Sequence, residues 1–215
     1  MRLGLGLAFT LVVAPAVASA LPDPRGPAEI GLLILGEAAT GVAFGIFLRL
    51  FVLALHTAGS IAAQSTSLSQ LFGAGPGAEP SPAMAHLLVI GGLALAALLG
   101  LHVQVAAYMI QSYALAPAGA VLDPGMLLEA GVGEVGRAFA LAFSLAAPFV
   151  AAALLYNIML GVINRAMPQL MVTLIGAPAL TAGGLMLLLL AAPVMLAVWA
   201  EAFGTFLLDP FGARP

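Results

Sequence analysis

The chain has 215 residues, 63% of them hydrophobic and 7% charged, with a net charge of −3 and a mean hydropathy of +1.16. Soluble domains carry about 25% charged residues, and a water-soluble globule of this size has no means of hiding so much apolar surface. The absence of cysteine excludes a disulfide framework or a thiolate metal site, and with neither lysine nor a basic run nucleic acid is not an expected partner.

Five apolar runs follow one another along the chain: Leu3 to Leu21, Ile30 to Leu55, Ala83 to Leu115, Ala138 to Ile163, and Leu170 to Phe206. A membrane-spanning helix needs about 20 apolar residues. Lipid leaves backbone groups no water to bond, so only helices and closed barrels survive there. Barrel strands are short and alternate in polarity, whereas these runs are long and rich in Ala, Leu and Gly. The expected fold is therefore an all-α membrane protein of five to six long, kinked apolar helices arranged as hairpins, forming a single membrane-embedded domain over residues 1–215.

The first run follows Arg2 and ends in AVASA before Leu21. Residues 1–21 thus read either as a signal-like segment with a small-residue cleavage site or as a retained helix kinked at Pro15. Pro22, Pro24 and Pro27 end this segment. In the second run Glu37 and Arg49 are buried-charge candidates. Twelve helical residues separate them by about 18 Å of rise and about 120° of rotation, so each needs its own partner. Gly41 and Gly45 on the same helix form G-x-x-x-G, a spacing that lets two helix backbones approach closely.

Gly73 to Pro82 is the longest linker. The third run would be roughly 50 Å long as one helix, against a hydrocarbon core of about 30 Å. It is expected to tilt, to break near Gly91–Gly92, or to leave the bilayer. Gly100, Gln104, Tyr108 and Gln111 fall on one face of it, with Ser112 beside them, and such a stripe should meet a partner or an aqueous path. Pro117 to Gly125 makes the next turn.

Gly131 to Gly136 (GVGEVG) matches G-x-G-x-x-G, but no strand precedes it and no acid follows about 20 residues on. It reads as a turn entering the fourth helix, where Glu134 and Arg137 pair on an exposed helix start. Pro148 lies in the fourth run, and Pro178 and Pro193 in the fifth, which reads as one helix or two shorter pieces. Proline breaks a helix bond; at membrane depth this is tolerated where protein covers the freed backbone. His56, His86 and His102 lack nearby acids at metal-ligand spacing, and no nucleophile elbow is present. No catalytic, cofactor or metal site is expected.

The stretch from Pro148 reads P-x8-N-x-x-L-G-x-x-x-R-x-x-P-Q, through Asn157, Leu160, Gly161, Arg165, Pro168 and Gln169, and continues to Ile175, Gly176 and Pro178. With Met167-Pro168-Gln169 and Gly176-Ala177-Pro178 it resembles the signature of the FliR family of flagellar export proteins, called SctT in virulence secretion systems. Other stretches agree in order: Glu29-Ile30-Gly31 to Gly36, Ala58-Gly59 with Gln64, and Ser112-Tyr113 with Pro117-Ala118-Gly119. The chain departs from the family pattern at Ser60, Ala62 and Ser65. The family also has a further apolar helix before the segment matching Arg2 to Pro15.

The resemblance implies an export-gate subunit that shapes a channel for unfolded secretion substrates in the bacterial inner membrane, within the flagellar basal body. It implies FliP-like and FliQ-like partners and a FlhB-like switch protein, no enzymatic activity, and retention of the first helix. Residues 164–169 form either a candidate gating turn, in which Met167 reaches the path and Arg165 anchors the turn to a neighbouring subunit, or a helix-hairpin turn with no gating role. Asn157, Gly161, Pro168 and Gln169 join them as interface candidates, with Glu37, Arg49, Gln104, Tyr108 and Gln111 from the earlier runs. A small-solute transporter is the alternative from the residues alone, since broken helices with midplane polar groups mark that class.

Overall fold

A computed structural model describes residues 2–22, 24, 26–66, 83–115, 117–119, 124–167 and 172–208. Six α-helices account for nearly all of them: α1 (Arg2–Val17), α2 (Pro27–Thr66), α3 (Ala83–Leu98), α4 (Leu101–Leu115), α5 (Pro124–Ala166) and α6 (Val172–Leu208). A short 3₁₀ turn, Ala18–Ala20, follows α1. No strand occurs among the described residues. The linker Gly73 to Pro82, Pro168 and Gln169 lie outside them.

Three helices, Pro27–Thr66, Gly125–Ala166 and Ala179–Leu208, are long and apolar enough to cross a membrane, and the broken pair α3–α4 makes a fourth candidate. Helix α2 starts well: Pro27 occupies the first position, where its missing N–H costs nothing, and Glu29 sits in the positive first turn.

The third run breaks at Leu99–Gly100, not at Gly91–Gly92. Gly100 adopts φ +71°, the left-handed geometry that ends a helix, and its amide bonds back to the Ala97 carbonyl at 3.2 Å. Gly91 and Gly92 stay helical because neighbours need their missing side chains: Leu196 closes on Gly91, and Leu55 and Trp199 close on Gly92. Residues 131–136 are likewise no turn. They lie inside α5, which begins ten residues and more before the expected start, and Glu134 is buried rather than on an exposed helix start. Helical glycine costs about 1 kcal/mol relative to alanine; a Cβ on Gly131 would make an ordinary contact with the Phe47 ring at 3.8 Å and one on Gly136 would meet nothing within 4 Å, so packing does not require glycine at either position. The fifth run is one helix that continues through Pro193.

The fold divides into two compact units, Met1–Leu50 with Ala96–Val135 and Glu201–Pro215, and Phe51–Leu95 with Gly136–Ala200. In the first, Phe44, Phe47, Tyr108, Phe203 and Phe206 are buried, and the Tyr108 ring meets Phe44 edge-on at 5.3 Å and Phe206 at 5.7 Å. Such pairs add about 0.5–1.5 kcal/mol each beyond area burial. In the second, Ala54, Leu55, Ala58, Ala62, Ala85, Leu88 and Trp199 are buried. There α2 and α3 run antiparallel, with Gly59 packed on the Ala85 backbone and Leu55 on Gly92. Helix α6 runs antiparallel to α2: Trp199 Nε1 donates to the Phe51 carbonyl at 2.8 Å, and Gly184 meets Thr66. Small residues set these approaches, as expected where lipid supplies no hydrophobic drive between helices.

Candidate functional site

In the first unit the polar residues of α2 and α4 converge. Glu37 is ten residues into α2, on the face turned toward the end of α4. Its carboxylate accepts two hydrogen bonds, from the Tyr113 hydroxyl at 2.8 Å and from the Gly119 amide at 3.3 Å. Gly119 needs to be glycine, for its φ is +77° and the Leu33 side chain occupies the space a Cβ would take. A Cβ placed on Gly36 would stand 3.6 Å from the Gly119 Cα. Leu33, Gly36 and Glu37, one turn of α2, therefore grip the turn at 117–119. Arg49 lies further along α2, exposed, and Glu37 finds its partners on α4 and the turn after it.

Beside Glu37 is a cavity of about 430 Å³ walled by α1, α2 and α4, with Thr10, Phe44, Tyr108, Ser112 and Tyr113 among its lining residues. Gly41 and Gly45 face this open space, and nothing lies within 4 Å of where their Cβ atoms would be. The G-x-x-x-G pair is therefore not used for packing among the described residues.

The stripe on α4 divides. Gly100 is the break before the helix. Tyr108 turns inward, 1% exposed, and its hydroxyl has no hydrogen-bond partner among the described residues. The Gln104 carboxamide oxygen is also buried without one, whereas Gln111 is exposed. Ser112 returns its proton to the Met109 carbonyl at 2.7 Å.

In the second unit the end of α5 carries the remaining candidates. Asn157 is exposed and its Nδ2 donates to the Ala153 carbonyl of its own helix at 2.8 Å. Nothing lies within 4 Å of a Cβ on Gly161, so that glycine leaves a flat, open patch. Arg165 is exposed in the last turn, where a cation complements the helix dipole. Met167 is 57% exposed, and its amide continues the helix pattern to the Ile163 carbonyl at 2.8 Å. Leu154, Leu155, Ile158 and Val162 are exposed around them, so these polar residues sit on an uncovered apolar surface.

One contact escaped the sequence reading. The Tyr156 hydroxyl donates to the Gly176 carbonyl, tying the end of α5 to the start of α6. The same hydroxyl stands where a Gly176 Cβ would be. The glycine of Gly176-Ala177-Pro178 thus has a packing reason, and an aromatic twenty residues upstream was the available signal.

The chain matches the family described as bacterial export proteins, family 1, over residues 1–206. It is similar to the flagellar biosynthetic protein FliR of Caulobacter vibrioides, 31% identical over 213 residues, covering 98% of this chain and 84% of that protein. The FliR of Aquifex aeolicus is 28% identical over 182 residues, 83% of this chain and 69% of the relative. The FliR of Pectobacterium carotovorum is 27% identical over 198 residues, 91% of this chain and 75% of the relative.

Proposed function

This chain belongs to bacterial export proteins family 1, the family of the FliR proteins, and on that premise we propose that it is a structural subunit of the flagellar protein-export gate in the bacterial inner membrane. It helps form a channel for unfolded substrates, alongside FliP-like and FliQ-like subunits and a FlhB-like switch protein.

The observation that carries the reading is the length of the helices. Helices α2, α5 and α6 have 40, 43 and 37 residues, roughly 55–65 Å at 1.5 Å per residue. The hydrocarbon core is about 30 Å thick. Tilt alone would have to reach about 60°, beyond the usual limit of about 40°. The helices therefore rise out of the bilayer, yet their most apolar stretches are only 17–28% buried within the chain. Lipid can cover the roughly 30 Å of each helix that lies in the hydrocarbon, but water is a poor solvent for the apolar residues beyond it, so neighbouring helices cover those. A subunit that stacks against others outside the lipid plane meets that requirement.

Within this reading, the end of α5 approaches the channel: Asn164, Arg165 and Ala166, expected in a turn, are its last helical residues and Met167 follows them. Met167 supplies a flexible thioether that adapts to varied substrates, and Arg165 anchors the helix end to a carboxylate or carbonyls of a neighbour. Deleting the chain from a flagellated host is the test. Export of flagellar substrates into the medium should stop and return on complementation; export that persists without the chain would refute the reading.

A further inference from the structure

Of the hydroxyls around the cavity beside Glu37, three are already spent as donors, whereas Thr40 and Tyr108 also line it and the Tyr108 O–H has no partner among the described residues. Thr10 has donated its hydroxyl proton to the Gly6 carbonyl at 2.9 Å, Ser112 to the Met109 carbonyl at 2.7 Å, and Tyr113 to Glu37 itself at 2.8 Å. What those side chains leave facing the space are lone pairs. The partners of Glu37 are both neutral donors, a phenol and an amide. No Arg, Lys or His among the described residues lines the cavity, and Arg49 is about 18 Å along α2. An ionised carboxylate among apolar helices is costly unless a cation completes it. The glycines at 41 and 45 keep that wall free of side chains, and the cavity of about 430 Å³ has room for a long basic side chain.

We propose that this cavity receives a basic side chain from a membrane helix of a neighbouring subunit, whose cation pairs with the Glu37 carboxylate. Arginine and lysine are the matching chemistry, since both bring donors and no acceptor. The inference rests on the reading of the chain as a subunit of a multi-protein gate, and it assigns one of the contacts that such a gate needs.

The test uses the complex purified from cells that make this chain with its FliP-like and FliQ-like partners. Glu37→Gln removes the charge and keeps the shape; Tyr113→Phe keeps the charge and removes the internal hydrogen bond. Glu37→Gln should lower the recovered complex at least about tenfold, as expected for a desolvated charge pair, while Tyr113→Phe should lower it by no more than about threefold. A photo-crosslinking residue in place of Gly41 should attach to a partner peptide within one helical turn of a Lys or Arg. Changing that basic residue to Glu should restore the complex that Glu37→Lys loses. Equal losses from Glu37→Gln and Tyr113→Phe, or none from Glu37→Gln, would make Glu37 an internal latch and overturn the proposal. Adducts confined to lipid or to this chain would overturn it too. Failure of the unaltered chain to form any complex would instead refute the gate reading on which the proposal rests.

Discussion

Gly59→Ala puts a methyl group into the seam between α2 and α3. The Ala85 backbone nitrogen would lie 2.7 Å from the new Cβ and the Met84 carbonyl carbon 3.0 Å from it. Carbon contacts are comfortable at about 3.5–4.0 Å, and the Ala85 Cα stands closer to the new Cβ than that nitrogen does, so the helices must part by about 1 Å. Backbone cannot rotate aside as a side chain would. A gap of 0.5–1 Å forfeits about a quarter to a half of each contact across the seam, and Leu55, Ala58, Ala62, Ala85 and Leu88 are all buried along it. Overpacking of this kind costs about 1–3 kcal/mol, against about 1 kcal/mol gained from alanine's better helix propensity. Net destabilisation of up to about 2 kcal/mol is expected. The assay is thermal unfolding of the purified complex followed by the part of its tryptophan emission that a Trp199→Phe complex lacks, because Trp199, this chain's one tryptophan, belongs to the same unit and packs beside Gly92. Gly183→Ala is the control, since nothing lies within 4 Å of its Cβ position; it should leave the midpoint unchanged or raise it. A Gly59→Ala protein as stable as the parent, or a Gly183→Ala protein equally weakened, would refute the packing argument.

Tyr156→Phe should cost about 0.5–1.5 kcal/mol by removing its bond to the Gly176 carbonyl. Gly176→Ala should destabilise more in the presence of Tyr156 than in Y156F, a coupling read from thermal midpoints of the double-mutant cycle. Trp199 is 1% exposed, so its emission maximum, read as that same difference, should lie toward the blue in the folded complex; a maximum like that of free tryptophan would contradict its placement. Arg165→Glu should reduce flagellar export measured in the medium while leaving the amount of assembled complex unchanged. Normal export with an intact complex would refute a gating role for Arg165.

Helix content and the apolar runs were legible because lipid demands long, internally bonded segments, and that demand is written in composition. Boundaries were less so. Gly91–Gly92 looked like a break and Gly131–Gly136 like a turn, since glycine is a poor helix former in isolation. Leu196, Leu55 and Trp199 pack against Gly91 and Gly92 within α3, and a linear reading holds no trace of which side chain will arrive. Pro193 left the fifth run open between one helix and two shorter pieces, and it is one helix, for a helix with covered neighbours tolerates the bond that proline removes. At the site, helix spacing correctly kept Glu37 and Arg49 apart, but it offered no route from Glu37 to Tyr113 and Gly119. Those residues had been noticed as a separate motif. Only the antiparallel return of α4 along α2 joins the two.

The account turns on whether the exposed apolar helices are covered by other chains. Light scattering of detergent-purified particles, with the chain made alone and with its FliP-like and FliQ-like partners, measures this most directly. The prediction is a stable particle whose protein mass is several times the 21.6 kDa of this chain, with the chain aggregating or degraded when made by itself. A stable, monodisperse particle containing one copy of this chain and no partner would contradict it.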